Sequence, residues 1–205
     1  MYVALTFDDG YVTCYEIARF LAREKVKATF FIITHLRTFE GKTLLTINPR
    51  LIKEVHELGH EIGSHSCTHP NLVRLSESDL EYELRKSKEF LSDLLKEDIV
   101  GFAYPGGFYD KRVVAKVSKY YEYARLAGKR FESKSWNAHN KCKYLIEGIG
   151  AKELLKLPLK LILYRDIKPV VIFHDDPLWV IKSVVKYLRF YGARFVTLSE
   201  LANSL

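Results

Sequence analysis

Two histidines four residues apart, in His65-Ser66-Cys67-Thr68-His69, follow a short run that reads as a strand. A loop that turns once between them brings both imidazoles to one cation, and Asp9, at the end of the first strand, can supply a third ligand. Two imidazoles and one carboxylate leave a coordination position open, which is how catalytic rather than structural sites are built. A cation held there would make a water molecule acidic enough to attack a carbonyl near neutral pH. Asp8, beside Asp9, adds a second carboxylate. At a frayed strand end both can reach one pocket, one to ligate and the other to accept a proton. His174 closes the apolar run 169–173 and is placed to act as a general acid, with Asp175 or Asp176 tuning it.

Each feature has a plainer reading when taken singly. Paired histidines are often loop residues, Asp-Asp-Gly is ordinary turn chemistry, and a histidine after an apolar strand can be a satisfied core residue. His56-Glu57-Leu58-Gly59-His60 repeats the histidine spacing, but Gly59 ends a helix between the two. His60 is therefore expected to hydrogen-bond in the core and His56 to face solvent. What favours chemistry at Asp8 and Asp9 is the apolar strand immediately before them, which a turn alone does not require.

The elements that must position these groups alternate along the chain. Apolar β-branched runs at 2–7, 28–33, 61–63, 99–103, 121–127, 169–173 and 194–198 are separated by helical patterns. Asn48-Pro49 opens one helix, with Asn48 as N-cap. Ser76-Glu77-Ser78-Asp79 reads as a capping box for another, which carries Leu80, Leu84, Leu91, Leu94 and Leu95 at helical spacing. Strand, loop and helix repeated about six times predict a parallel sheet with helical crossovers. The titratable residues stand where apolar strands end, the face on which α/β barrels gather their sites. The expected fold is α/β, an irregular single-domain barrel over residues 1–205 with fewer than eight strands.

Composition limits the alternatives. The chain has 205 residues, 48% hydrophobic and 28% charged, which is globular and not disordered. Thirty-two basic and 25 acidic residues leave a formal charge of +7, spread along the chain with no basic arm. No nucleic-acid partner is expected from that distribution, since no aromatic-basic motif accompanies it. Cys14, Cys67 and Cys142 form no CxxC and suggest a reducing compartment. Met1-Tyr2-Val3-Ala4-Leu5-Thr6 shows no signal-peptide pattern, so the cytoplasm is the expected location. The stretch from Leu154 to Tyr164 is broken by Lys156, Pro158 and Lys160 and is too short to span a bilayer.

In order along the chain come Thr6-Phe7-Asp8-Asp9-Gly10, Gly59-His60-Glu61-Ile62-Gly63, His65-Ser66-Cys67-Thr68-His69, Pro105 with Gly107, Ile172-Phe173-His174 and Thr197-Leu198-Ser199-Glu200-Leu201. This pattern resembles the polysaccharide deacetylase (NodB-homology) family of carbohydrate esterases, over nearly the whole chain. The resemblance implies a distorted (β/α)7 barrel. It implies Asp8 as catalytic base, Asp9, His65 and His69 as metal ligands, and His174 as general acid. The implied metal is zinc, with cobalt or another divalent ion as alternatives. The implied reaction is hydrolysis of an N-acetyl or O-acetyl group from a sugar or oligosaccharide. Pro105, Gly106, Gly107, Arg125, Trp136 and Ile172 are the candidate substrate-binding residues, with a backbone N–H near Gly106 facing the oxyanion.

One departure matters. In Phe102-Ala103-Tyr104-Pro105-Gly106-Gly107, Ala103 stands where such sequences carry an arginine that pairs with the base. Without a cation, Asp8 would titrate higher. Arg125, at the end of the next strand, could reach the same place. Two rival readings follow: an amide hydrolase acting on a non-sugar substrate, and a carbohydrate-binding protein without turnover. Cys67 reads as a small apolar filler. The basic amphipathic run 152–168 could touch a membrane or an anionic lipid-linked sugar, although a helix laid across the barrel is the favoured reading. The oligomeric state is left open by the sequence.

Overall fold

A computed structural model describes residues 1–127, 136–137, 140, 142–164 and 166–205. In chain order its elements are β1 (Tyr2–Phe7), α1 (Thr13–Arg23), β2 (Thr29–Ile32), β3 (Thr38–Phe39), β4 (Lys42–Thr43), α2 (Arg50–Glu57), β5 (Glu61–Ser64) and α3 (Glu77–Leu95). There follow β6 (Gly101–Ala103), α4 (Lys111–Val117), β7 (Tyr123–Leu126), β8 (Ile146–Glu147), β9 (Ile149–Gly150), α5 (Leu157–Leu163), β10 (Val170–Phe173), α6 (Leu178–Phe190), β11 (Arg194–Val196) and α7 (Leu198–Ala202).

The main sheet runs β8-β7-β6-β5-β2-β1-β10-β9, all neighbours parallel, with β11 added beside the N-terminal half of β1. The two ends of this path, β8 and β9, are the two halves of one extended segment around Gly148. β8 pairs with β7, and β9 pairs with β10. The ring is therefore closed by a single segment that changes partners midway. Eight strands lie on the path where seven were expected, and the eighth arises because Gly148 divides one stave in two. A Cβ at Gly148 would come within 2.3 Å of Ile172 Cδ1, so only glycine lets the segment pass this close to β10.

Alternation along the strands sorts the core into two compartments. Val3, Leu5 and Phe7 of β1 join Phe30, Ile32 and Phe173 against the helices, and Phe7 stacks between Phe30 and Phe173 at centroid distances of 4.7 and 5.1 Å. Ala4, Phe31, Ala103, Tyr123, Ile146 and Val170 fill the barrel, and Leu198 and Leu201 of α7 close its lower end. The small inward residues Ala4 and Ala103 are what leave room for polar groups higher in the barrel.

The helix signals translate unevenly. Ser76 accepts a hydrogen bond from the Asp79 amide as expected, but Asp79 takes the Ser76 hydroxyl proton instead of a backbone N–H. The reciprocal box is found at α7, between Thr197 and Glu200. Asn48 does not cap α2. A 3-10 turn over Leu45–Ile47 draws its amide to Leu45, and α2 begins from Pro49 without a side-chain cap.

Candidate active site

Strand register assembles the site. Phe7 is level with Phe173, so the residues that follow, Asp8 and His174, emerge side by side at the C-terminal rim of the barrel. The Asp8 amide donates to the Phe173 carbonyl at 2.9 Å and prolongs the ladder by one residue. Ile32 is level with Ser64, and the His65 amide donates to the Ile32 carbonyl at 2.9 Å, which brings His65 to the same rim.

Beyond the strands the backbone bends sharply. Asp9, Ser66 and His69 have φ of 70°, 67° and 59°. Left-handed backbone costs about 1 kcal/mol or more for a non-glycine residue and persists where surrounding structure imposes it. Here it turns Asp9 to the same side as Asp8 and brings His69 back over His65. The Asp9 carboxylate then lies 3.5 Å from His65 Nε2 and 3.8 Å from His69 Nε2. One donor atom from each of the three falls within 4.8 Å of the others, and among the described residues this is the one such group of three or more. His65 Nδ1 is 2.9 Å from the Ala103 carbonyl, which fixes the ring and turns Nε2 toward Asp9.

Burial sets the charges of this cluster. It holds His65 down to about 3 and lowers His69, so both rings are neutral with lone pairs available. Burial, and next the charge on Asp8, push Asp9 up to about 7. Two neutral imidazoles beside a carboxylate that resists ionisation in an apolar setting are a donor set that a divalent cation fits, and the spacings suit it.

Asp8 lies at the other side of the cluster. Burial acts to raise it, but the Arg125 guanidinium, by its charge and its hydrogen bond, leads the groups that outweigh burial and hold the carboxyl below the usual range. Arg125 Nη2 binds Asp8 Oδ1 in a buried ion pair, and Nη1 donates to the Leu126 carbonyl at 3.2 Å. The cation that Ala103 cannot supply thus comes from one strand over. Ala103 and Arg125 are register partners on β6 and β7, so their side chains share one layer of the barrel, and the alanine leaves the space that the arginine crosses. Asp8 Oδ2 faces His174 Nε2 at 3.8 Å. The acidic group facing the His174 ring is thus Asp8. Asp175 is held by Lys42 and Thr13, while Asp176 accepts the His174 backbone N–H at 3.1 Å.

Asp8, Asp9, His65, His69 and His174 open into one cavity of about 940 Å³, whose wall includes Gly106, Trp136 and Ile172. Pro105, Gly107 and Arg125 are buried and lie outside the lining of that cavity. Gly107, at φ 70°, closes the turn by donating to the Tyr104 carbonyl at 2.9 Å. The decoy pair diverges: His60 Nε2 contacts the Ala18 carbonyl at 2.9 Å, and His56 is half-buried, 3.3 Å from Glu97.

Two contributors were not read from the sequence. Tyr11 lines the cavity beside Asp9, and its hydroxyl offsets part of the burial that pushes the Asp9 carboxyl up. Glu83 of α3, buried, accepts from the amides of Cys67 and Thr68 at 2.8 and 3.0 Å and from the Thr68 hydroxyl at 2.7 Å. It therefore fixes the loop that carries both histidines. The available signal was an acid on the buried stripe, three residues after Leu80 and one before Leu84. Glu83→Ala is expected to strand the buried Cys67 N–H and the part-buried Thr68 N–H, and to weaken divalent-cation binding at the Asp9, His65 and His69 cluster by about 10–100-fold, measured by titration calorimetry. Unchanged affinity would show that the loop holds its shape without Glu83.

The family model of polysaccharide deacetylases matches residues 1–125. A peptidoglycan-N-acetylglucosamine deacetylase of Bacillus cereus is 28% identical over 207 residues, covering 97% of this chain and 87% of that protein. The corresponding enzyme PgdA of Listeria monocytogenes is 27% identical, and this chain spans 38% of its length. Among solved structures, a family 4 carbohydrate esterase from Streptomyces lividans in complex with acetate has a TM-score of 0.68 at 18% identity, covering 95% of this chain and 91% of that one. A pseudoenzyme of the same family from Bacillus anthracis has a TM-score of 0.70 at 20% identity, covering 98% of this chain and 65% of that one, so the shared fold does not by itself decide turnover. With its match over more than half the sequence, the chain belongs to the polysaccharide deacetylase family.

Proposed function

We propose that this protein is a divalent-metal-dependent hydrolase that removes an N-acetyl or O-acetyl group from a carbohydrate. One observation carries the reading: Asp8 is buried between Arg125 and His174, in the same cavity as the Asp9, His65 and His69 cluster. The relatives named as deacetylases of peptidoglycan support a sugar substrate, and the cytoplasm is its proposed location.

Asp9, His65 and His69 would hold the metal, most simply Zn2+, with Co2+ or another divalent ion as alternatives. Bound there, it supplies Lewis acidity toward the acyl carbonyl and the attacking water. Asp8 accepts the proton of that water on Oδ2, because Oδ1 is engaged by Arg125. Arg125 keeps the carboxylate ionised and oriented, as a positioning residue. His174, half-exposed at the cavity mouth, donates a proton to the departing nitrogen or oxygen. Gly106, Trp136 and Ile172 bound the acyl end of the cavity, and Pro105 and Gly107 hold the turn that presents Gly106.

The test is acetate release from a panel of N- and O-acetylated oligosaccharides, with zinc or cobalt added after chelation. Release should require metal. His65→Ala should abolish both metal retention and release, the first followed by elemental analysis of the desalted protein. A His65→Ala variant that keeps its metal would remove His65 from the ligand set. A metal-loaded parent inactive on the whole panel would turn attention to amides other than sugars.

A further inference from the structure

The segment after β9 continues over one edge of the cavity. Residues Ala151–Lys156 form 3-10 turns, and α5 follows without a break. Leu154 and Leu157 are buried and anchor it, and the Leu154 carbonyl accepts a hydrogen bond from Tyr187 of α6 at 3.0 Å. Lys152, Lys156 and Lys160 recur every four residues and line the cavity. The remaining apolar side chains point to water: Leu155 and Ile162 are 79% and 81% exposed, and Leu159 and Leu163 are more than half exposed. Trp179, two residues beyond Pro177 of the cavity wall, is 69% exposed. Clustered apolar side chains left in water beside a site mark a surface that meets another phase or molecule.

We propose that this rim docks the protein on a bilayer with anionic headgroups, and that the sugar entering the cavity is carried on a lipid of that bilayer. The second half rests on the hydrolase reading above. Charge selects the occupant. Between Lys152 and Leu163 stand three lysines and one acid, Glu153. When the leucine ridge enters the acyl boundary, the lysines beside it stand at headgroup level, where they neutralise phosphate and flank the cavity mouth. A second copy of this chain is the poorer occupant, because a two-fold contact would set the lysines of one protomer against those of the other. The contact is peripheral: among the described residues no helix is long and apolar enough to cross a membrane.

Co-sedimentation with vesicles tests this. The parent should bind vesicles of phosphatidylcholine with phosphatidylglycerol about tenfold or more better than phosphatidylcholine alone, and salt should weaken the binding. Leu159→Asp combined with Ile162→Asp, both on the outer face, should lose that binding by a similar factor while still releasing acetate from a soluble substrate. Failure of the parent to bind anionic vesicles overturns the proposal, as does undiminished binding by the double variant. A parent dimer that the double variant converts to monomer, without vesicle binding in either, assigns the face to a second copy. Vesicle binding without any acetate release leaves the docking surface standing and removes the carbohydrate-deacetylase reading instead.

Discussion

Replacing Asp8 by asparagine is expected to lower turnover by about 10²–10⁴-fold with the metal still bound. Asparagine keeps the shape of the side chain but cannot accept the proton of the attacking water. The proposed ligand set Asp9, His65 and His69 is untouched, so metal content should stay at the parent level. The substitution also leaves the buried Arg125 facing a neutral amide, and some loss of thermal stability will accompany it. The measurement is therefore kcat on zinc-loaded protein, at a temperature where both variants are folded, beside metal content. Turnover that survives at the parent level would falsify the role given to Asp8.

The largest effect on stability is expected from Arg125→Met. Removing one partner of a buried ion pair leaves the other charge uncompensated, at a cost of about 3–5 kcal/mol. The pH dependence gives the sign. In the parent, Arg125 holds the Asp8 carboxyl below its ordinary value, so the pair contributes stability above the unfolded pKa of about 4 and loses it as pH falls through the folded value. In the variant, burial acts without that cation, and the Asp8 pKa rises. Its contribution is then present below about pH 4 and is lost as pH climbs through the raised value. The difference in stability between parent and variant should therefore widen from acid toward neutral pH. Denaturant unfolding of chelated protein across that range tests it, and a difference independent of pH would mean that Arg125 acts through packing alone. Activity should fall as well, with its acid limb moved to higher pH.

How far these residues could be read in advance depended on whether their signal was local. Asp8, His65 and His174 each stand directly after an apolar run, and parallel strands deliver such positions to one rim, so their convergence followed from pattern. Arg125 was visible as a candidate replacement for the missing arginine, but its direction is a matter of register between β6 and β7, which no local pattern specifies. Glu83 acts across a distance of 15 residues on a loop whose amides look unremarkable in sequence. The closing stave escaped because β8 and β9 have two residues each and carry too little alternation to register as strands. At Asn48, a favourable capping residue lost to a tertiary preference: the preceding 3-10 turn buries Leu45 and draws the Asn48 amide into it.

The partner change at Gly148 has a kinetic meaning. β1 and β10 are neighbours in the ring but stand near opposite ends of the sequence, so their pairing closes a loop that contains most of the chain. Contacts separated by so much chain carry a loop-closure penalty that local contacts do not, and they tend to form late in folding. Asp8 and His174 straddle that seam, 166 residues apart in number but adjacent in register. A molecule with every helix formed and the seam still open would have the proposed metal ligands, which all lie between residues 9 and 69, and yet lack the proposed proton donor. The ability to hold a cation and the ability to complete a proton transfer are thus acquired at different moments in the life of the chain, the second only when its two ends have met.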